Sequence, residues 1–133
     1  MTALRILLAE DDAMIGMFLA MTLEQMGHHI CALETTEAGA VAAAARDRPD
    51  IIITDAGLNA GDGVTAAERI LAERPMRFVF ASGDLTKVKA RLPNAVMIQK
   101  PYNNAVLAGA IETAMRSIST SDSAMSLGST APH

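Results

Sequence analysis

Short apolar runs alternate along this chain with longer stretches that carry apolar residues at helical spacing. The runs fall at 5–9, 29–33, 51–54, 78–81 and 96–99. In the third, Ile51-Ile52-Ile53 is β-branched without alternation, which is how a strand reads when helices cover both of its faces in a parallel sheet. A first helix is expected at 13–26, stopped by Gly27, and a second at 36–48, alanine-rich and ended before Pro49. A third is expected at 63–73, with Val64, Ala67, Ile70 and Leu71 on one side, and a last at 103–117, with Leu107, Ile111, Met115 and Ile118 in a stripe. The segment 85–92 holds only a short fourth helix, because Pro93 closes it. Five strand-to-helix alternations predict an α/β fold: a doubly wound five-stranded parallel sheet with right-handed crossovers and helices on both faces.

Composition narrows the class. With 133 residues, half of them apolar, one folded domain is expected over 1–118. From 119 to 133 the chain turns to Ser, Thr, Ala and Gly, and this tail is expected to be disordered. The net charge of −4 with no basic patch argues against nucleic acid as a partner. The apolar start, Ile6 to Ala9, is too short for a signal peptide or a membrane span, so a cytoplasmic protein is expected. The single cysteine, Cys31, reads as a small buried hydrophobe.

The chemistry lies where the strands end. Glu10 and Asp11 follow the first strand, Asp55 the third, Ser82 the fourth and Lys100 the fifth. In a parallel sheet all four ends lie on one edge, which is where such sheets bind ligands. Carboxylates gathered there repel one another unless a cation intervenes. Mg²⁺ prefers oxygen ligands and takes one or two carboxylates. Asp11 and Asp55 suit direct ligation, Glu10 a contact through water, and a carbonyl of the glycine-rich loop that holds Gly57, Gly61 and Gly63 suits a further ligand. Lys100 and the Ser82 hydroxyl suit the oxygens of a phosphoryl group attached to Asp55, since a carboxylate can attack phosphorus.

This set, Glu10-Asp11, Asp55, Ser82 and Lys100-Pro101, each on its own strand end, resembles the response-regulator receiver domains of two-component signalling over about Leu4 to Ile118. The resemblance implies a flavodoxin-like strand order 2-1-3-4-5 and a cis peptide between Lys100 and Pro101. It also implies Asp55 as phosphoacceptor, Glu10 and Asp11 as metal acids, Gly57 as backbone-carbonyl ligand, Ser82 as switch hydroxyl and Lys100 as phosphate-binding lysine. On that footing the chain is expected to be a phosphoacceptor and not an enzyme: a single-domain regulator served by a histidine kinase or phosphotransferase, signalling through an altered protein partner or acting as a phosphate carrier or sink. Phe80-Ala81-Ser82-Gly83 resembles the Phe-Ala-Thr-Gly signature of an atypical stand-alone subgroup. Two other classes stay open. One is a binding adaptor of the same fold whose phosphorylation is incidental. The other is a Mg²⁺-dependent phosphatase of the haloacid-dehalogenase kind, which wants a second acid two residues after its nucleophile, where this chain has Gly57.

Several residues read more plainly. Asp12 suits a helix cap, Asp62 a solvated turn, and His28 and His29 surface or strand-start positions away from the acids. Nine methionines are present, and Met14, Met17 and Met21 lie near one line of the first helix while Ile15, Phe18, Leu19 and Leu23 occupy much of the rest. Such a helix is either well buried or docks a partner through part of its surface. In receiver domains the first helix commonly meets the kinase, so the docking surface implied is Met14, Ile15, Met17 and Phe18 with the loops at Ser82 and Pro101. Receiver domains commonly carry an aromatic residue three places before the lysine; here Met97 stands there, and the nearest aromatic is Tyr102.

Overall fold

A computed structural model describes residues 2–116. The expectations for Ile118 and for the 119–133 tail lie outside the described residues. The elements run β1 (Arg5–Ala9), α1 (Ala13–Gln25), β2 (His29–Glu34), α2 (Glu37–Asp47), β3 (Ile51–Thr54), α3 (Gly63–Leu71), β4 (Phe78–Ser82), α4 (Thr86–Arg91), β5 (Val96–Gln99) and α5 (Asn104–Arg116). The strands form one sheet in the order β2-β1-β3-β4-β5, and every pairing is parallel. This is the flavodoxin-like order, with its topological switch between β1 and β3.

Alternation along the strands divides the interior into two layers. Ile6 and Leu8, Ile51 and Ile53, and Val79 and Ala81 face one side, where Leu23 of α1 and Leu107 and Ile111 of α5 complete the core. Leu7, Ile52, Phe78 and Phe80 face the other, against Ala43 and Ala44 of α2, Val64 and Ile70 of α3 and Val88 of α4. The Phe78 and Phe80 rings stack with centroids 5.8 Å apart. Burial on both faces is why these strands read as continuous apolar runs, each large side chain contributing on the order of 1.5–3 kcal/mol.

Helix ends follow local chemistry. The Asp12 carboxylate caps α1 by accepting from the amides of Met14 and Ile15, and the Thr36 hydroxyl caps α2 by accepting from Gly39. The second helix ends at Arg48, which adopts a left-handed conformation (φ 46°) just before Pro49. The fourth helix is as short as Pro93 requires, with no side-chain cap. Salt bridges from Lys87 to Asp62 and from Arg91 to Glu68 hold it.

Asp62 is not a free turn residue: it caps α3 by accepting from the Thr65 amide at 2.7 Å and pairs with Lys87 at 3.1 Å. His28 is buried, not at the surface, and its Nδ1 accepts from the Leu4 amide at 3.1 Å. Cys31 is half-buried on the second strand. The first helix is not well buried: Gly16 and Leu23 are its buried residues, while Met14, Ile15, Met17, Phe18 and Met21 are exposed, Met14 by 71% and Phe18 by 69%.

Candidate functional site

Each candidate residue is fixed by the parallel ladder at the carboxyl edge of the sheet. The amide of Asp55 donates to the Ala9 carbonyl at 2.9 Å, that of Glu10 to the Glu34 carbonyl at 3.0 Å, and that of Lys100 to the Ser82 carbonyl at 3.0 Å. Backbone pairing thus carries the register of β1, β3 and β5 one residue past the strands. The side chains that follow have little choice of position. The peptide between Lys100 and Pro101 is cis, as the resemblance implies.

The Lys100 ammonium lies between two carboxylates, donating to Asp55 Oδ2 at 2.8 Å and to Glu10 Oε2 at 3.1 Å. On its other oxygen, Asp55 Oδ1 accepts from the Ser82 hydroxyl at 2.9 Å and from the Gly57 amide at 3.2 Å. These contacts tune the three charges differently. Burial pushes Glu10 above the usual carboxylate range, only partly opposed by its hydrogen bond from Lys100. Burial also pushes Asp55 upward, but donation from Lys100, Ser82 and the Gly57 amide outweighs it and leaves Asp55 below its ordinary value. For Lys100, burial favours the neutral amine, yet the bonds to Asp55 and Glu10 prevail and raise its pKa. Asp55 is therefore the better-stabilised anion of the pair.

Among the described residues, Glu10, Asp11 and Asp55 offer carboxylate oxygens that all lie within 4.8 Å of one another. Asp11 is exposed, Glu10 buried and Asp55 between the two. Oxygen-only donors of graded exposure at one open edge fit a hydrated Mg²⁺. The Gly57 backbone borders this cluster, and a Cβ placed on Gly57 would meet nothing within 4 Å among the described residues. The residue therefore enters the site only through its backbone.

Further residues build the site, and apart from Gly63 of the glycine-rich loop none had stood out in the sequence. The Thr54 hydroxyl donates to the Asp55 carbonyl at 2.8 Å. A Cβ on Gly63 would lie 1.9 Å from that same carbonyl oxygen and 2.6 Å from Thr54 Oγ1, so only glycine lets α3 start this close to the acceptor. The Asn59 side-chain amide donates to the Asp11 carbonyl at 3.0 Å, tying the glycine loop to the end of β1. Glu37 Oε1 accepts from the Asp62 amide at 3.2 Å and fixes the other end of that loop. The glycine at 63 was a legible signal; Asn59 and Glu37 had none, since their partners lie far off in sequence. Ser82 is buried, so in the loop expected to dock a partner it is Gly83 and Asp84 that are exposed; Pro101 is exposed as well.

A family model, the response regulator receiver domain, matches residues 6–112. The chain belongs to that family. It is 34% identical over 116 residues to the transcriptional regulatory protein PdtaR of Mycobacterium tuberculosis, covering 84% of this chain and 56% of that protein. It is 31% identical over 117 residues to the phyllosphere-induced regulator PhyR of Methylorubrum extorquens, covering 85% and 44%. The chain thus spans about half the length of the curated relatives it matches. Among solved structures, the PhyR receiver domain of Erythrobacter litoralis superposes with a TM-score of 0.74 at 23% identity, over 86% of this chain and 91% of that one. The receiver domain of a modulated diguanylate cyclase from Desulfovibrio desulfuricans G20 gives 0.78 at 27% identity, over 86% and 95%. Receiver domains are signalling modules of two-component systems that interact with kinases and downstream proteins, and they typically bind Mg²⁺ through an acidic cluster. In this chain Glu10, Asp11 and Asp55 form an acidic cluster at the carboxyl edge of the sheet. No helix among the described residues is long and apolar enough to cross a membrane.

Proposed function

We propose that this receiver domain is a cytoplasmic phosphoacceptor, taking a phosphoryl group on Asp55 from a histidine kinase or histidine phosphotransferase and altering protein binding as a result. The observation that carries the reading is the division of labour at Asp55: a lysine on one carboxylate oxygen, a serine hydroxyl and a backbone amide on the other. An Asp55 carboxylate oxygen attacks the phosphorus of a phosphohistidine. A P–O bond forms as the P–N bond breaks, and the bonding pair returns to the imidazole nitrogen of the donor. The Asp55 carboxylate is ionised at neutral pH and so available as nucleophile.

Asp11 and Asp55, with Glu10 through water and the Gly57 carbonyl, would hold Mg²⁺, which supplies charge compensation for the phosphoryl oxygens when bound. Lys100 then has a second anion to serve. Its ammonium turns from the Glu10 and Asp55 carboxylates to the phosphoryl oxygens, and the Ser82 hydroxyl donates to another of them. In this reading the domain handles its own phosphoryl group without turning over a separate substrate.

The exposed Met14, Ile15, Met17 and Phe18 of α1, beside the loops at Gly83 and Pro101, form the docking surface for the phosphodonor. Flexible methionines suit an adaptable apolar contact. The output is an altered protein contact; a PhyR of Bartonella quintana, similar in fold, is an anti-anti-sigma factor. The deciding experiment is Mg²⁺-dependent labelling by a phosphorylated donor or a small phosphodonor. Wild-type chain is expected to label and Asp55→Asn not to; undiminished labelling of the variant refutes the acceptor assignment. Equal partner affinity before and after labelling would make the chain a binding adaptor instead.

A further inference from the structure

Tyr102 follows Lys100 by two residues and lies in the connection between β5 and α5. It is half-buried and packs against the core layer formed with α1 and α5. On its inner side it lines a small cavity together with Asp55, Lys100, Ala81 and, from α1, Ile15 and Leu19. On its outer side it lines an open groove with Met97, Pro101, Asn103 and Val106. Tyr102 therefore borders both the acceptor and the surface.

Met97 occupies a different position. Its side chain packs with the opposite layer, that of α2, α3 and α4, alongside Phe80. An aliphatic thioether there has neither the shape nor the rigidity of an aromatic ring. The layer of the sheet that contains Tyr102 is the one that presents the exposed apolar surface of α1.

We infer that Tyr102 is the positioning residue that couples the state of Asp55 to α1 and to the β5–α5 groove. This rests on Asp55 being the phosphoacceptor. The two states differ at Lys100, which forms a wall of the inner cavity with Tyr102. Without phosphate the ammonium is held by Asp55 and Glu10. With phosphate it is drawn to the new anion, so the wall against which the ring packs changes. Interiors are close-packed and do not absorb such a change smoothly. The ring shifts, and with it the packing of Ile15 and Leu19 and the shape of the outer groove. The signal is delivered to the α1 and α5 side of the sheet, away from the short α4.

The chain has one tyrosine and no tryptophan. Its intrinsic emission therefore reports Tyr102 alone, in the full chain, without labelling. Acetyl phosphate with Mg²⁺ serves as donor, and the phosphorylated fraction is read in parallel by intact mass. Emission is expected to change in proportion to that fraction, with no change in Asp55→Asn. In chain carrying ¹³C-methyl methionine, the Met17 and Met21 resonances of α1 are expected to shift on phosphorylation in wild type and in Tyr102→Phe. They are expected to stay in place in Tyr102→Leu although Asp55 is still phosphorylated. Ile15→Ala interrupts the same cavity from α1 and is expected to lose the methyl response too, which keeps the test decisive if Tyr102→Leu fails to fold. Full phosphorylation with unchanged emission, or α1 shifts that survive in Tyr102→Leu or Ile15→Ala, overturns the coupling and leaves the acceptor assignment standing. Absence of phosphoryl on Asp55 removes both.

Discussion

Lys100 and Asp55, 45 positions apart in sequence, meet through an ammonium-to-carboxylate hydrogen bond of 2.8 Å. The same ammonium reaches Glu10, so one lysine holds two acids that would otherwise repel each other. Removing it changes both the resting charge balance and the stabilisation of a phosphoryl group.

Lys100→Ala is accordingly expected to bind Mg²⁺ at least as well as wild type, because a competing cation has gone. Phosphorylation is expected to slow by roughly 10²-fold, the scale on which one preorganised donor to a developing anion acts. Metal titration and phosphodonor labelling of the same sample separate the two effects. A variant unchanged in both would refute the role of Lys100.

Gly57, in the loop after β3, and Gly63, the first residue of α3, differ in what a side chain would meet. Gly63→Ala places a methyl group against the Asp55 carbonyl and Thr54 Oγ1. The backbone must move, at a cost of about 1–3 kcal/mol in stability, with loss of acceptor geometry. Gly57→Ala meets nothing and is expected to retain Mg²⁺ binding and labelling. Thermal unfolding and labelling of the two variants side by side check the contrast, and equal behaviour would contradict it.

Burial lowers the pKa of His28 from 6.5. The folded chain thus keeps this ring neutral, its Nδ1 accepting from Leu4, while the unfolded chain takes up a proton near 6.5. The contribution to stability is full above pH 6.5 and is lost as pH falls through the folded-state value. Protonation would also place a hydrogen on the nitrogen that accepts from Leu4, and buried Nε2 has no hydrogen-bond partner among the described residues. Urea midpoints are expected to fall between about pH 7 and about pH 5 in wild type, and less in His28→Asn, which keeps an acceptor but cannot titrate there. Parallel pH profiles of the two chains would disprove this.

Phe18 is 69% exposed on α1, in a surface that has no charged residue from Ala13 to Leu23. Phe18→Glu is expected to leave stability within about 0.5 kcal/mol, as exposed substitutions usually do. Labelling by acetyl phosphate should persist while transfer from a phosphorylated protein donor falls sharply. Unimpaired transfer from the protein would move the docking surface elsewhere.

Much of this protein is determined by its sequence alone. Apolar runs of β-branched residues set the five strands, because strands covered on both faces need no polar alternation. Gly27, Pro49 and Pro93 mark where helices end or fail, through backbone restrictions that act locally. The convergence of Glu10, Asp11, Asp55, Ser82 and Lys100 follows from strand polarity, since parallel strands all end on one edge.

Only the tertiary structure decided what those residues touch. That Lys100 joins Glu10 to Asp55, that Asn59 holds Asp11, and that Gly63 must clear the Asp55 carbonyl are contacts between distant segments. No local pattern encodes a distance across a sheet. The exposure of α1 was likewise open in the sequence. Its apolar residues nearly encircle the helix, and only the packing of Leu23 and Gly16 on the sheet shows which of them are left facing outward.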